Sequence, residues 1–240
     1  MTEVSARRRS AAASKAHDHA NAPARDKPYH HGALPEALLQ AAESVLRRDG
    51  LRGLTLRAIA REAGVSHTAP QHHFGDMAGV LSELAATGHR RLAATMARHA
   101  AGSEPGRAQR KAVARGYVSF AVDHSDLFRL MSRNELLDQT RPSLLEARQV
   151  AMRALAGVFD DNPAQTQEDA AAPARPDAAL AVAMTAAWAY VHGLALLLID
   201  GRLGGLAKLA EGVSDAEQLV DTAIERMQIV PDDDTPVRKT

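Results

Sequence analysis

The sequence predicts an all-α protein in two parts: an N-terminal three-helix helix-turn-helix domain and a larger C-terminal helical domain. Three observations carry this. β-Branched residues do not alternate with polar ones, and Ala and Leu dominate, so no strand is expected. Residues 54–84 set a Thr, an apolar helical pattern, a Gly and a Ser in the order of two short helices joined by a tight turn. Residues 178–199 contain no Asp, Glu, Lys or Arg, and as a helix they would run roughly 33 Å.

The elements follow in order. Residues 1–28 are rich in Ala, Ser, Arg, His and Pro without apolar periodicity and read as a disordered arm. The spacing predicts a first helix from Leu34 to Asp49, ended by Gly50, with Leu34, Leu38, Ala41, Ala42 and Val45 inward. Pro35 is tolerable in its first turn. Thr55 is a candidate N-cap for a second helix near 56–63, with Leu56, Ile59, Ala60 and Ala63 on one face, and Gly64 stops it. Ser66 is expected to cap a third helix over 67–73, and a fourth runs from Asp76 to His99. After a break at Gly102 to Gly106, further helices are expected near 107–123, 126–132, 142–159, 177–200 and 214–228. Ser125 and Ser214 are candidate caps, and Glu217 stands at the capping-box distance from Ser214. Residues 160–176 read as a polar, Pro-containing loop and 231–240 as a frayed tail.

A chain of 240 residues can bury one large or two modest cores. Its charge is balanced overall but not locally: residues 1–100 hold 14 Lys/Arg against 9 Asp/Glu, and residues 101–240 hold 15 against 20. A basic half joined to an acidic half suits a nucleic-acid module fused to a part with another task. Cysteine is absent, which excludes disulfides and Cys-ligated zinc and suits a reducing compartment. The N-terminus does not read as a signal peptide, because Lys15, His17, Asp18 and His19 interrupt the required apolar run. Residues 178–199 have the length of a membrane span. Eight of them are Ala, however, and Trp188, Tyr190 and His192 lie centrally rather than at the interfaces. They are expected to form a helix buried on nearly all sides of a soluble, cytoplasmic protein, with no membrane partner.

The stretch ALLQAAESVLRRDGLRGLTLRAIAREAGVS at 37–66, followed by HHFGDMAGVLSEL at 72–84, resembles the tetracycline-repressor-like (TetR/AcrR) family of bacterial transcription regulators. AWAYVHGLALLLIDGRL, at 187–203, contains Trp188, His192 and Gly193. It is similar to the Trp-His-Gly type of C-terminal domain in a branch of that family. The resemblance implies a DNA-binding domain over 29–92 and a helical effector-binding and dimerisation domain over 93–230. It implies a homodimer on a double-stranded, palindromic DNA operator, acting as a repressor on the bacterial nucleoid and released by a small apolar effector. No cofactor is expected.

Carried over residue by residue, the resemblance implies base-edge contacts from Arg57, His67, Thr68 and Gln71, and backbone contacts from Thr55, His72 and His73. The chemistry agrees: Arg matches guanine O6 and N7, and Gln matches adenine N6 and N7. The plainer reading of each is a solvated polar surface. Three positions depart from the family pattern. Gln71 stands where Tyr is usual, Met77 stands where Lys is usual, and Pro70 falls inside the third helix, where a tight first turn is expected. Arg7, Arg8 and Arg9 suit phosphates or a minor groove, and equally a solubilising tail. The adjacent pairs His30–His31 and His72–His73 point about 100° apart on a helix, so neither chelates well and no metal is expected.

For the second domain the resemblance implies an effector pocket, and the candidates are Phe128, Met131, Met152, Met184, Trp188 and His192, with Thr185 and Tyr190 as polar groups. Ordinary core packing, with a structural hydrogen bond to His192, is the competing reading for each. Two other functions compete with regulation. An all-α enzyme would need a nucleophile, metal or phosphate motif, and none occurs. A non-specific architectural DNA-binding protein would be expected to carry net positive charge, whereas the formal charge is zero.

Overall fold

A computed structural model describes residues 34–156 and 178–227. The expected arm at 1–28, the loop at 160–176 and the tail at 231–240 lie outside the described residues.

Helix α1 (Leu34–Gly53) buries Leu38, Ala41, Ala42, Val45 and Leu46 and is broken at Gly50, after which one further turn continues. Helix α2 (Leu56–Glu62) starts where Thr55 Oγ1 accepts the Ala58 N–H at 3.1 Å. It ends in a Schellman turn. The Val65 N–H reaches the Ala60 carbonyl at 3.0 Å, and the Gly64 N–H reaches that of Arg61 at 3.2 Å. Gly64 takes φ +67, a conformation that a side chain would strain.

Helix α3 (Ala69–Phe74) begins later than the expected 67–73. Ser66 does not cap it. Instead Ser66 Oγ accepts the Thr68 N–H at 3.4 Å within a turn that precedes the helix, and Thr68 occupies the N-cap position without a side-chain cap bond. Pro70 explains the delay. It disfavours helix before itself and has no N–H to give, so it is accommodated in the first turn, where it is also buried.

Helix α4 (Met77–Ala100) is capped by Asp76, whose Oδ1 accepts the Gly79 N–H at 2.9 Å. Its 24 residues span roughly 36 Å. It packs against α1, α3, α5 (Arg107–Asp123), α6 (Ser125–Met131) and α7 (Pro142–Ala156). One core runs through both parts of the chain, from Leu38, Ile59 and Leu84 to Phe120, Phe128 and Leu144. At α6 the N-cap position falls on His124, so Ser125 is already helical and caps nothing.

Helix α8 (Ala178–Ile199) departs from expectation. Burial is confined to one stripe, Met184, Ala187, Val191 and Ala195, which packs toward α5, α7 and α10 (Ala216–Glu225). At 100° per residue the opposite stripe is Val182, Ala186, Ala189 and Gly193. Val182 is 69% exposed, Ala186 and Ala189 are exposed, and Gly193 is half-buried. The helix is long and apolar enough to cross a membrane, with a mean hydropathy of 1.8 over Leu180–Ile199. Its outward face is uncovered in the single chain because it is made of small residues that no other described helix meets.

Two elements escaped the sequence reading: a 3-10 turn at Asn134–Leu136 and α9 (Gly204–Leu209). Helix α10 starts one residue later than the expected cap. Asp215 Oδ1 accepts the Gln218 N–H at 2.8 Å, while Gln218 Oε1 accepts the Ser214 N–H at 2.5 Å. Asp215, with extended geometry, is thus the N-cap in place of Ser214, and Gln218 in place of Glu217 reaches back to the amide of the residue before the cap.

Candidate nucleic-acid interface and effector cavity

On the helix-turn-helix, Thr55, Arg57, His67, Thr68, Gln71 and His72 are exposed, while His73 is half-buried. The opposite face of the same segments is buried through Ala58, Ile59, Ala60, Pro70 and Phe74. The polar row is therefore carried on a short, internally packed frame. Rings of His72 and His73 meet edge to face at 5.2 Å, and no group of metal-binding residues occurs among the described residues. Met77, where the family's usual Lys is missing, is half-buried against the core. That position is therefore a packing contact here.

The recognition segment is tied to the second part of the chain. Arg141, at the start of α7, donates Nε–H to Glu83 Oε1 at 2.7 Å and Nη1–H to the Phe74 carbonyl at 3.4 Å. Ser143 Oγ also donates to Glu83, at 2.8 Å. Beside them the fully buried Ser82 accepts the Asp138 N–H at 2.8 Å. Gly79 makes this contact possible, because a Cβ there would overlap the Phe74 carbonyl oxygen and crowd Arg141. The last turn of α3, the first turns of α4 and the start of α7 are thus joined by hydrogen bonds.

Farther along α4 a cavity of about 400 Å³ opens between α4, α5, α6, α7 and α8. Five of the six expected pocket residues line it: Phe128, Met131, Met152, Trp188 and His192. Met184 is buried outside the lining, one turn before Trp188. Of the expected polar groups, Thr185 Oγ1 bonds back to the Ala181 carbonyl, and Tyr190 OH donates to the Ala223 carbonyl of α10 at 3.0 Å. Neither faces the cavity. The other lining residues were missed, among them the titratable His89, Tyr117 and Arg148.

Tyr117 organises the polar side. Trp188 Nε1–H donates to its hydroxyl oxygen at 3.3 Å, and the hydroxyl lies 2.8 Å from His192 Nδ1. The Tyr117 hydroxyl oxygen thus accepts from Trp188 and shares a second hydrogen bond with His192 Nδ1, whose direction depends on the imidazole tautomer. Burial pushes the Tyr117 hydroxyl up to about 12 and pulls His192 below its ordinary range, so both are neutral near pH 7. The chain Trp188–Tyr117–His192 is therefore a fixed, uncharged relay of donors, with Trp188 and His192 on α8 and Tyr117 on α5.

His89 is different. Both of its ring nitrogens are buried without a hydrogen-bond partner. Burial, aided by the positive charge of Arg148, lowers its pKa from 6.5 to about 4. The unfolded chain protonates His89 below about 6.5, whereas the folded chain does so only near 4. Its contribution is thus fully present above 6.5 and is lost as pH falls toward 4. At ~1.4 kcal/mol per pH unit this amounts to up to roughly 3 kcal/mol. Urea unfolding of wild type and His89→Leu at steps between pH 7 and 4.5 checks it. Wild type should lose stability more steeply on acidification, and parallel curves would remove His89 as the cause.

An all-helical protein with a solvent-facing helix-turn-helix and a cavity enclosed by the helices behind it is a one-chain DNA-binding regulator in its class. Two family profiles cover most of the described chain. Residues 38–84 match "Bacterial regulatory proteins, tetR family", and residues 111–227, which include the Trp-His-Gly stretch, match "Tetracyclin repressor-like, C-terminal domain". The chain belongs to the tetracycline-repressor-like family of transcription regulators. A protein of unknown function from Rhodococcus sp. RHA1 is similar at 36% identity with a TM-score of 0.64, over 83% of this chain and 96% of that one. The regulator PfmR from Thermus thermophilus (15% identity, TM-score 0.51, covering 78% and 94%) shares the fold. So does a regulator from Marinobacter aquaeolei (14%, 0.53, 80% and 94%). No curated protein matches.

Proposed function

We propose that the protein is a ligand-responsive repressor that grips a palindromic operator as a homodimer. The observation that carries this reading is the exposed row Thr55, Arg57, His67, Thr68 and Gln71 on a frame whose other face is buried. Arg57 and Gln71 have the bidentate chemistry to read base edges, while Thr55, His72 and His73 offer polar groups suited to phosphate contacts. The outward small-residue stripe of α8 supplies a two-fold seam, as Ala and Gly let two copies approach closely.

The effector would occupy the cavity behind the reading head. Filling it bears on α7, which supplies Arg148, Ala151, Met152 and Leu155 to the lining and starts at the Arg141–Glu83 clasp. A ligand acts only through a difference in affinity between the DNA-competent and released arrangements, and the clasp gives such a difference a direct route to α3.

Operator selection from random DNA with the purified protein tests the reading. A palindromic consensus is expected, and selection without consensus would favour an architectural protein. On that consensus Arg57→Ala and Gln71→Ala should each lose about 10- to 100-fold in affinity, corresponding to roughly 1–3 kcal/mol, and relax one base position. Equal losses on operator and random DNA would sink the base-reading roles.

A further inference from the structure

The cavity residues carry more than a volume. Of the side chains that line it, His89, Tyr117 and His192 are neutral near pH 7, no Asp, Glu or Lys is present, and Arg148 is the one standing cation. Its fork is held in place. One Nη1–H donates to Gln139 Oε1 at 2.6 Å and one Nη2–H donates to Asn134 Oδ1 at 2.7 Å. Both acceptors are amide oxygens, which orient a guanidinium without neutralising it. A guanidinium has five N–H donors, so three remain for a further acceptor, and among the described residues no carboxylate pairs with Arg148. His89 adds a second, independent observation: two buried ring nitrogens with no partner, beside the same cavity and within electrostatic reach of Arg148.

Beyond these, Ser132 and Asn134 line the cavity beside Arg148, and the remaining wall is apolar, with Leu92, Met96, Phe128, Met131, Ala151 and Leu155. From these side chains we infer that the cavity takes an amphipathic organic carboxylate, its head on the Arg148 fork and a His89 N–H, its apolar body against α4, α6 and α7. Size bounds the body. A cavity of about 150 Å³ takes benzene, so 400 Å³ admits a ligand of about 15 non-hydrogen atoms. A cationic ligand would meet Arg148 with no lining carboxylate to receive it. A wholly neutral one would leave the fork and His89 unanswered.

This inference rests on reading the cavity as an effector site, and the experiment separates the two. Full-length protein is titrated near neutral pH with two matched pairs, decanoate against decan-1-ol and 5-phenylpentanoate against 5-phenylpentan-1-ol. Calorimetry and emission from Trp188, the single tryptophan, follow binding. Each acid should bind at least about tenfold more tightly than its alcohol, as a charge-assisted bidentate contact provides. Arg148→Met should erase that preference, with unchanged helical circular dichroism showing that the variant is folded; Arg148→Lys should keep part of it. If acid and alcohol bind wild type equally, the carboxylate inference falls and the effector-site reading stands. If neither binds, both fall. An acid preference that survives Arg148→Met overturns the assignment to Arg148.

Discussion

Phe120→Ala will lower folding stability by about 3–5 kcal/mol, the usual cost of truncating a fully buried aromatic side chain. Phe120 is 1% exposed and lies against the His124 ring at 5.0 Å and the Phe128 ring at 6.4 Å, on the inner face of α5. It is a cleaner probe of the core than Phe128, which also lines the cavity and so mixes packing with ligand effects. The loss corresponds to a drop in melting temperature of about 6–20 °C for a chain of this size. Urea unfolding of wild type and variant measures it, with the exposed Val122→Ala, expected to change stability by no more than about 0.5 kcal/mol, as the control. A Phe120→Ala loss no larger than that of Val122→Ala would mean that α5 does not pack as described.

Ala189→Asp is expected to break the proposed homodimer and, with it, the proposed operator binding. Ala189 lies in the middle of the outward stripe Val182, Ala186, Ala189 and Gly193 of α8, directly opposite the stripe that holds α8 to its own chain. A carboxylate there is harmless in a lone protomer but would be desolvated twice over in a two-fold seam. Losing the second reading head removes the effective-concentration gain of bivalent binding, so operator affinity should fall about 10²- to 10⁴-fold. Sedimentation at micromolar concentration should show a dimer for wild type and a monomer for the variant, with unchanged helical circular dichroism. A monomeric wild type, or a variant that stays dimeric, would falsify the seam. Ala195→Asp tests something else: Ala195 is fully buried within the protomer, so its damage should appear in stability.

How much of this was legible in the sequence depended on whether the signal was local. Thr55, Gly64 and Asp76 act through their own backbone, and the edges of α2 and α4 fell close to where the residues placed them. Pro70 was legible as a conflict, and the helix resolved it by starting later. Caps failed where neighbours compete: Asp215 took the role of Ser214 because both can accept the same kind of bond and only backbone geometry decides between them. The cavity was half legible. Trp188 and His192 share a helix face, but Tyr117 joins them from 71 and 75 residues away. His89 had a weak signal, since Ala85, His89, Leu92 and Met96 keep the spacing of an inward face. Nothing local showed that its nitrogens would lack partners. The uncovered side of α8 was misread because composition records how apolar a helix is and not how many neighbours its own chain can supply.

The Ser82–Asp138 hydrogen bond has a consequence for how the chain comes apart. The hydroxyl is fully buried and belongs to the reading-head end of α4, while the amide belongs to the approach to α7. Separating them leaves a buried acceptor and donor unanswered, a penalty of about 1–3 kcal/mol for each group left buried. Local opening of the DNA-facing end alone therefore breaks this bond and the Arg141–Glu83 clasp. The first turns of α4, the last turn of α3 and the start of α7 should tend to open together, which hydrogen exchange would read as a shared protection. Cutting the chain near residue 92 would split these contacts across two fragments, so the excised N-terminal half should be less stable than the same residues in the full chain.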